Sequence, residues 1–331
     1  MPEKLKISAL LLAAVLLLTL AAGCSKGSKR NTDPASQDAG IRPLHVEGTE
    51  LKDEDGNTVR LTGMSSHGLL WYPEYANAAA MRTLREYGAN TFRVAVYSSD
   101  EGGGYVQRKD DSLKLACMAI ENAIDEDMYV IVDWHILSDG NPLENQWFAL
   151  DFFEQISSRY KDSPNIIYEI CNEPNGHAGW DDIRAYAGEV IPAIRKNAPG
   201  AVVLVGTPEY SYSFDKVFEA PLDFENVMYT FHYYAGQHGS YYNQLFDRCE
   251  KEGLPVFVSE WGVNYGSNGK PALSQGEQFA KVLERRGISW TAWSLCNKDE
   301  VFSAIKPDCD KLSGWDESDL SDVGKIFFSA F

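Results

Sequence analysis

Two glutamates end strongly apolar segments, where a charged side chain is costly to bury. Glu173 ends Ile-Ile-Tyr-Glu-Ile-Cys-Asn-Glu, and Glu260 ends Val-Phe-Val-Ser-Glu. A carboxylate that follows a strand buried on both faces must be paired or hydrogen-bonded. Two carboxylates about 5 Å apart that flank a sugar can carry out a double displacement. One attacks the anomeric carbon while the other protonates the departing oxygen.

Aromatic residues recur at or just after the predicted strand ends. Flat side chains there can stack on the apolar faces of pyranose rings, although a barrel can also use them for packing at its rim. We expect Trp71 and Trp293 to be sugar platforms, and both interpretations stay open for Trp134 and Trp261. The full set is Trp71, Tyr97, Trp134, Tyr210, Tyr234, Trp261 and Trp293.

Eight short apolar segments alternate with helical patterns. Such alternation implies parallel strands joined by crossover helices, and eight repeats favour a closed barrel over an open sheet. The predicted fold is a single-domain α/β protein, a (β/α)8 (TIM) barrel. Residues 44–51 and the turn Asp55-Gly56-Asn57 predict a β-hairpin that plugs its bottom. The predicted strands are 59–66, 90–97, 129–135, 166–173, 202–207, 227–233, 256–261 and 290–295, and the predicted helices are 78–87, 113–127, 146–160, 183–197, 215–218, 241–252 and 275–286.

Polar and aromatic residues converge at the predicted strand ends. The carboxyl ends of strands in a closed parallel barrel line one face, where active sites lie. Glu173 and Glu260 follow the fourth and seventh barrel strands, which lie across the barrel mouth from each other. The residues at these ends are His67, Arg93, Tyr97, Asp133, Trp134, His135, Asn172, Glu173, Thr207, His232, Tyr234, Glu260, Trp261 and Trp293.

The overall charge limits the possible partners. The chain has 331 residues, is 44% hydrophobic and carries a formal net charge of −18. This charge argues against nucleic acid and anionic lipid surfaces, because their phosphates would be repelled. A neutral polymer is compatible with it. We expect a monomer that needs no cofactor and no metal ion.

The first residues are typical of an export signal. Lys4 and Lys6 precede an apolar run, residues 7–20, which is shorter than the roughly 20 residues of a membrane helix. Leu-Ala-Ala-Gly-Cys at 20–24 is similar to a lipobox and implies lipidation of Cys24, with an ordinary secretory signal as the alternative. We predict a signal peptide over 1–23, a flexible polar tether over 24–43 and the barrel over 44–331. The protein is expected to be exported and lipid-anchored at the cell envelope or cell surface, or otherwise secreted.

Seven ordered segments resemble glycoside hydrolase family 5, particularly its bacterial endoglucanases of subfamily 2. The resemblance extends from about residue 44 to the end and implies a retaining endo-1,4-β-glucanase (cellulase) acting on cellulose-like β-glucan. The matching segments are Gly-Met-Ser-Ser-His-Gly-Leu (63–69), Phe-Arg-Val-Ala-Val-Tyr (92–97), Val-Asp-Trp-His-Ile-Leu-Ser-Asp (132–139), Tyr-Glu-Ile-Cys-Asn-Glu-Pro-Asn-Gly (168–176), Phe-His-Tyr-Tyr-Ala-Gly-Gln-His-Gly (231–239), Val-Ser-Glu-Trp-Gly (258–262) and Trp-Ser-Leu-Cys-Asn-Lys-Asp-Glu (293–300).

The resemblance also implies a role for each matching residue. Glu173 would be the acid/base and Glu260 the nucleophile. Asn172 would hold the sugar's 2-hydroxyl, while Arg93 and Tyr234 would favour the ionised form of Glu260. His135 and His232 would flank the site as hydrogen-bonding partners. The residues implied to bind glucose units are His67, Trp71, Tyr97, Trp293, Lys298 and Glu300.

Three alternatives remain open at this stage. The same mechanism could act on mixed-linkage β-glucan, xyloglucan or mannan. A non-catalytic glycan-binding lipoprotein would keep the aromatic residues but could dispense with both glutamates. A metal-dependent hydrolase could use His67, His135 and His232 at separate strand ends, although hydrogen-bonding histidines explain the pattern more simply.

Overall fold

The computed structural model describes residues 41–331. Its strands are β1 (Leu44–Glu47), β2 (Glu50–Asp53), β3 (Thr62–Ser66), β4 (Thr91–Tyr97), β5 (Tyr129–His135), β6 (Ile166–Glu169), β7 (Val203–Val205), β8 (Val227–Ala235), β9 (Val256–Val263) and β10 (Trp290–Leu295). The helices are α1 (Ala78–Tyr87), α2 (Lys109–Asp125), α3 (Gln146–Arg159), α4 (Trp180–Arg195), α5 (Pro208–Ser211), α6 (Asp215–Glu219), α7 (Tyr241–Glu252), α8 (Leu273–Arg286) and α9 (Asp322–Ser329).

Strands β3 to β10 form a closed parallel barrel in the order β10-β3-β4-β5-β6-β7-β8-β9. Helices lie between successive strands, so the predicted (β/α)8 fold is confirmed. On β4, Phe92 and Val94 pack into the large core cluster that includes helix residues, whereas Arg93 between them contacts side chains across the barrel. This alternation follows from the two-residue period of a strand.

The bottom of the barrel is apolar and is covered by the N-terminal hairpin. Leu44 on β1 and Leu51 on β2 are buried in one cluster with Ile131, Ile167 and Phe257 from the barrel strands. The hairpin is thus confirmed, but its turn lies at residues 48–49, between β1 and β2. The predicted Asp55-Gly56-Asn57 turn instead follows β2 and leads the chain into the barrel. The Asp53 amide donates to the Asn57 carbonyl across this turn.

The structure changes several predicted boundaries. Strand β6 ends at Glu169, four residues before the predicted end, because its pairing with β5 and β7 stops at this residue. Asn172 and Glu173 therefore lie on the following loop, where their amides donate to the carbonyls of Trp134 and Ile136. Helix α2 begins at Lys109 and α4 at Trp180, both earlier than predicted. Helix α9 was not predicted; its buried face includes Val323, Ile326, Phe327 and Phe328.

The predicted signal peptide and Cys24 lie outside the described residues, as does most of the predicted tether. From residue 41 to the end, no helix is both long enough and apolar enough to cross a bilayer. The boundaries proposed for the N-terminal segments stay predictions.

Candidate active site

The two glutamates meet at the mouth of the barrel. Glu173 lies on the loop after β6, and Glu260 lies within β9. One carboxylate oxygen of each and one ring nitrogen of His232 all lie within 4.8 Å of one another. Retaining glycosidases hold their carboxyl groups about 5–5.5 Å apart, whereas inverting ones separate them by about 6.5–9.5 Å to admit a water. The short separation favours a direct attack on the sugar.

Glu260 is held by two hydrogen-bond donors. Arg93 Nη1 lies 3.1 Å from Oε2, and the Tyr234 hydroxyl lies 2.5 Å from Oε1. Burial, reinforced by the charge of Glu260, raises the pKa of Tyr234 well above its ordinary value, so its hydroxyl keeps the proton that it donates. Both contacts fix the orientation of the Glu260 side chain.

Arg93 connects several polar groups beneath the cavity. Its side chain is fully buried, and its Nε lies 2.7 Å from Glu169 Oε2. Nη2 lies 2.6 Å from Asn172 Oδ1 and 3.1 Å from Asp133 Oδ2. Burial acts to lower the pKa of Arg93, but Asp133, Glu169 and Glu260 together raise it above its usual value. The guanidinium therefore stays charged and orients the acidic groups around it.

Glu173 contacts a histidine that carries a positive charge. His232 Nδ1 lies 2.9 Å from Glu173 Oε1, and Nε2 lies 3.0 Å from the Ser259 hydroxyl. Burial acts to lower the pKa of His232, but the charge of Glu260, the nearby Glu169 and the hydrogen-bonded Glu173 raise it to about 9. At neutral pH the imidazolium can stabilise the carboxylate that Glu173 becomes after giving up its proton.

His135 is the neutral counterpart of His232. Burial, followed by the charge of Arg93, lowers its pKa to about 3. Its Nδ1 lies 2.7 Å from Asp133 Oδ2, and burial raises the pKa of Asp133 well above the ordinary value. The ring stacks on Trp293 with centroids 5.1 Å apart. His135 thus helps to fix the orientation of Trp293 at the cavity wall.

The cavity above the two glutamates has a volume of about 620 Å³. Aromatic rings line it: Trp71 packs edge-on against Tyr97, with centroids 4.8 Å apart. At one end Lys298 Nζ lies 2.6 Å from Glu300 Oε2, beside His67. The lining residues are His67, Trp71, Tyr72, Tyr97, Asp100, His135, Leu137, Glu173, Tyr234, Glu260, Trp293, Lys298, Glu300 and Phe302. Stacking faces together with a few charged groups suit a neutral sugar polymer.

A family model described as Cellulase (glycosyl hydrolase family 5) matches residues 52–299. The chain belongs to glycosyl hydrolase family 5. The resemblance inferred from the seven segments is confirmed.

Relatives of this family 5 protein include named endoglucanases. Endoglucanase A of Butyrivibrio fibrisolvens is 46% identical over 84% of the chain and 66% of its own length. The endoglucanase of Clostridium saccharobutylicum is 40% identical over 85% of the chain and 63% of its own length. The chain thus spans about two thirds or less of these relatives. The catalytic domain of the Thermobifida fusca endoglucanase, solved with cellotetraose, has a TM-score of 0.80 and 32% identity, covering 87% of this chain and 97% of that one.

Within the described part of the chain, the structure brings together every residue to which the family resemblance gave a role. Arg93 and His232 lie beneath the cavity and contact Glu260 and Glu173, and Asn172 accepts a hydrogen bond from Arg93. The remaining predicted residues of the described barrel line the cavity itself. Their individual roles stay predictions. Cys24 lies outside the described residues.

Two tryptophans left open by the sequence belong to the core. Trp134 is fully buried and packs against Tyr105 and Phe152. Trp261 is also fully buried and contacts Trp290. Neither ring can stack on a sugar, so both are packing residues.

Two buried residues that contact the site, Glu169 and Ser259, have no role in the sequence-based prediction. Glu169 bonds to Arg93, and Ser259 donates to Glu169 Oε1 at 2.7 Å. Glu169 could have been predicted from the sequence, because it is a carboxylate inside an apolar strand, as Glu173 is a carboxylate at the end of one. Ser259 gave no such signal. Its position depends on an irregular pairing of β8 with β9. Thr230 pairs with Phe257, whereas His232, two residues later, pairs with Glu260, three residues later. Strand β9 therefore contains one extra residue over this stretch.

The three histidines of the metal-site hypothesis bind separate partners. His67 Nδ1 accepts from the Gly68 amide at 2.7 Å, and His135 Nδ1 bonds to Asp133. Among residues 41–331, the ligand-type atoms that come together are those of Glu173, His232 and Glu260. A divalent cation there would face the Arg93 guanidinium and replace the hydrogen bonds of His232. This donor set suits proton transfer better than metal binding.

Proposed function

We propose that this family 5 protein is a retaining endo-1,4-β-glucanase that hydrolyses internal bonds of cellulose-like chains. The observation that carries the proposal is the close approach of the Glu173 and Glu260 carboxylates below an aromatic-lined cavity. The named endoglucanases among its relatives support the β-glucan substrate. The cellotetraose bound to the related catalytic domain supports it further.

The first step forms a covalent intermediate. Glu260, held by Arg93 and Tyr234, attacks the anomeric carbon while the bond from that carbon to the leaving oxygen breaks. Glu173 transfers its proton to the departing oxygen, so the released chain carries a neutral hydroxyl. His232 then stabilises the carboxylate that remains on Glu173.

The second step reverses the proton transfer. A water attacks the anomeric carbon, Glu173 takes the proton from that water, and the bond to Glu260 breaks. Two inversions at one carbon retain the β configuration. Asn172, fixed by Arg93, is proposed to bind the 2-hydroxyl, a contact that strengthens as positive charge develops on the ring.

Substrate assays test the proposal against its alternatives. We expect the initial rate on carboxymethylcellulose to exceed those on mixed-linkage β-glucan, xyloglucan and mannan, with viscosity falling early because internal bonds are cut. Glu260→Gln should abolish turnover while the variant still binds cello-oligosaccharides. Faster turnover of mannan or xyloglucan would reassign the substrate, and binding without turnover by the unaltered protein would favour the glycan-binding alternative.

We further propose that the protein is exported and held at the cell envelope by a lipid on Cys24. Support comes from the basic residues, the apolar run and the lipobox-like Leu-Ala-Ala-Gly-Cys sequence that ends at Cys24. The polar tether that follows would separate the barrel from the membrane. A location outside the cell suits an enzyme whose polymeric substrate cannot enter.

A further inference from the structure

Glu169 lies at the junction of the groups that hold the two catalytic carboxylates. It is fully buried. Oε2 accepts from Arg93 Nε at 2.7 Å, and Arg93 in turn binds Glu260. Oε1 accepts from the Ser259 hydroxyl at 2.7 Å, and Ser259 contacts His232, which binds Glu173. One carboxylate thus contacts both halves of the site without reaching the cavity.

Ser259 and His232 connect Glu169 to Glu173, and each hydrogen bond from Glu169 to His232 has a fixed donor and a fixed acceptor. Burial acts to raise the pKa of Glu169, but the charge of Arg93, the nearby His232 and the hydrogen bond from Arg93 lower it to about 2, so Glu169 is a carboxylate and only accepts. Ser259 must therefore donate its hydroxyl proton to Glu169, and its oxygen accepts from His232. This requires a proton on His232 Nε2.

We propose that Glu169, acting through Ser259, is a positioning residue that fixes the tautomer of His232 and thereby controls the proton between His232 and Glu173. The proposal rests on the proposed function, because it concerns the acid/base step of that reaction. Because Ser259 holds the Nε2 proton, the proton that His232 gains or loses is the one on Nδ1, which faces Glu173. The imidazolium presents Nδ1–H, which donates to the Glu173 carboxylate.

In the first step the Glu173 proton leaves with the departing oxygen, and the imidazolium, whose own protons do not change, donates from Nδ1 to the resulting carboxylate. In the second step a proton returns to Glu173 from water. In the opposite tautomer, the proton that His232 gains or loses would lie on Nε2, away from Glu173. The charged and titratable groups that face His232 are Glu173, Glu169, Glu260, Asp133, His135 and His238.

Two variants and a matched control separate this role from simple packing. Glu169→Gln removes the accepting charge, and Ser259→Ala breaks the chain of hydrogen bonds without changing any charge. Ser65→Ala is the control, because Ser65 is an equally buried serine whose hydroxyl lies 3.3 Å from Arg93 Nη1. If Glu169→Gln fails to fold, Ser259→Ala alone still tests the proposal.

The first readout is nitrogen NMR of the full-length protein with labelled imidazole rings, with the His232 signals assigned by their loss in His232→Gln. We expect the unaltered protein and Ser65→Ala to show a titration midpoint near a pKa of about 9 and, above it, where His232 is neutral, the Nε2–H tautomer. Ser259→Ala and Glu169→Gln should show a mixed or Nδ1–H tautomer and a midpoint at least about one pH unit lower. Unchanged tautomer and midpoint in both variants would overturn the proposal.

The second readout compares two β-cellobiosides that differ in their leaving group. Phenolate needs protonation to depart, whereas 2,4-dinitrophenolate departs readily without it. We expect Ser259→Ala to lower kcat/KM about tenfold on the phenyl substrate and less than about twofold on the dinitrophenyl substrate. Equal losses on both would indicate a packing role and contradict the proposal. If the unaltered protein does not hydrolyse carboxymethylcellulose, the proposed function fails, while the NMR result still decides the tautomer.

Discussion

Tyr234 and Glu260 show how one neutral side chain can influence the proposed nucleophile. The hydroxyl donates to Glu260 at 2.5 Å from within the cavity wall. We predict that Tyr234→Phe lowers kcat/KM on carboxymethylcellulose by about 10- to 100-fold, since a hydrogen bond to a charged group is worth about 1.5–3 kcal/mol. Steady-state kinetics and a denaturation curve would check this. Equal losses in activity and in folded protein would show that the effect is only structural.

Arg93 is expected to be irreplaceable by another cation. Its guanidinium reaches Glu169, Asn172 and Glu260 with separate nitrogens, a geometry that a single ammonium cannot reproduce. Arg93→Lys should therefore lose most activity, and Arg93→Met should destabilise the fold by about 3–5 kcal/mol, because it leaves buried carboxylates unpaired. Urea denaturation and kinetics measure the two effects. Near-native activity in Arg93→Lys would contradict this account.

His232 should make stability depend on pH. Its pKa is raised from 6.5 to about 9 in the folded protein, so between these values the folded state binds more protons than the unfolded state. The stability that His232 contributes is present below pH 6.5 and declines as the pH rises toward 9. The free energy of unfolding of the unaltered protein should therefore approach that of His232→Gln over this range. Denaturation curves from pH 6 to 9.5 check this, and a constant difference would contradict it.

Single residues of the site could be predicted from the sequence where a charged side chain follows an apolar segment. Glu173 and Glu260 could be found because each follows an apolar strand, where an isolated charge is costly. The aromatic residues were harder, because Trp134 and Trp293 both stand near strand ends although only the second lines the cavity. Which ring faces the cavity depends on packing that the sequence does not specify.

Among the elements, the register of β9 matters most for the site. Its extra residue lets adjacent Ser259 and Glu260 both reach the buried hydrogen bonds, Ser259 toward Glu169 and Glu260 toward Arg93. Strict alternation would have placed one of the two on the opposite face. The existence of eight strands could be predicted from alternating patterns, but this irregularity could not, since it arises from the pairing with β8.

The N-terminal hairpin supplies stability without contributing to the site. Leu51 is almost fully buried against the apolar residues at the bottom of the barrel. We predict that Leu51→Ala lowers the free energy of unfolding by about 2–5 kcal/mol through the cavity it leaves. Because the site lies at the opposite end, kcat/KM per folded molecule should not change. A selective loss of activity with unchanged stability would contradict this division.

For the whole molecule, the proposed lipid anchor makes a prediction that is independent of catalysis. In the producing cell, Cys24→Ser should move the protein from the membrane fraction to the soluble exported fraction, because lipid attachment requires the thiol. Fractionation with immunoblotting, together with activity per molecule, would check this. An unchanged distribution would favour the ordinary secretory signal.

The central claim, that Glu260 attacks the sugar while Glu173 handles the proton, can be tested by trapping the intermediate. In a 2-deoxy-2-fluoro-β-cellobioside with a dinitrophenolate leaving group, the fluorine slows both steps and the good leaving group restores the first, so the glycosylated enzyme accumulates. We predict that mass spectrometry finds one fluorocellobiosyl group per protein, on the peptide containing Glu260, and that Glu260→Gln remains unlabelled. A label on another residue, or cellulose hydrolysis with inverted configuration, would contradict the account.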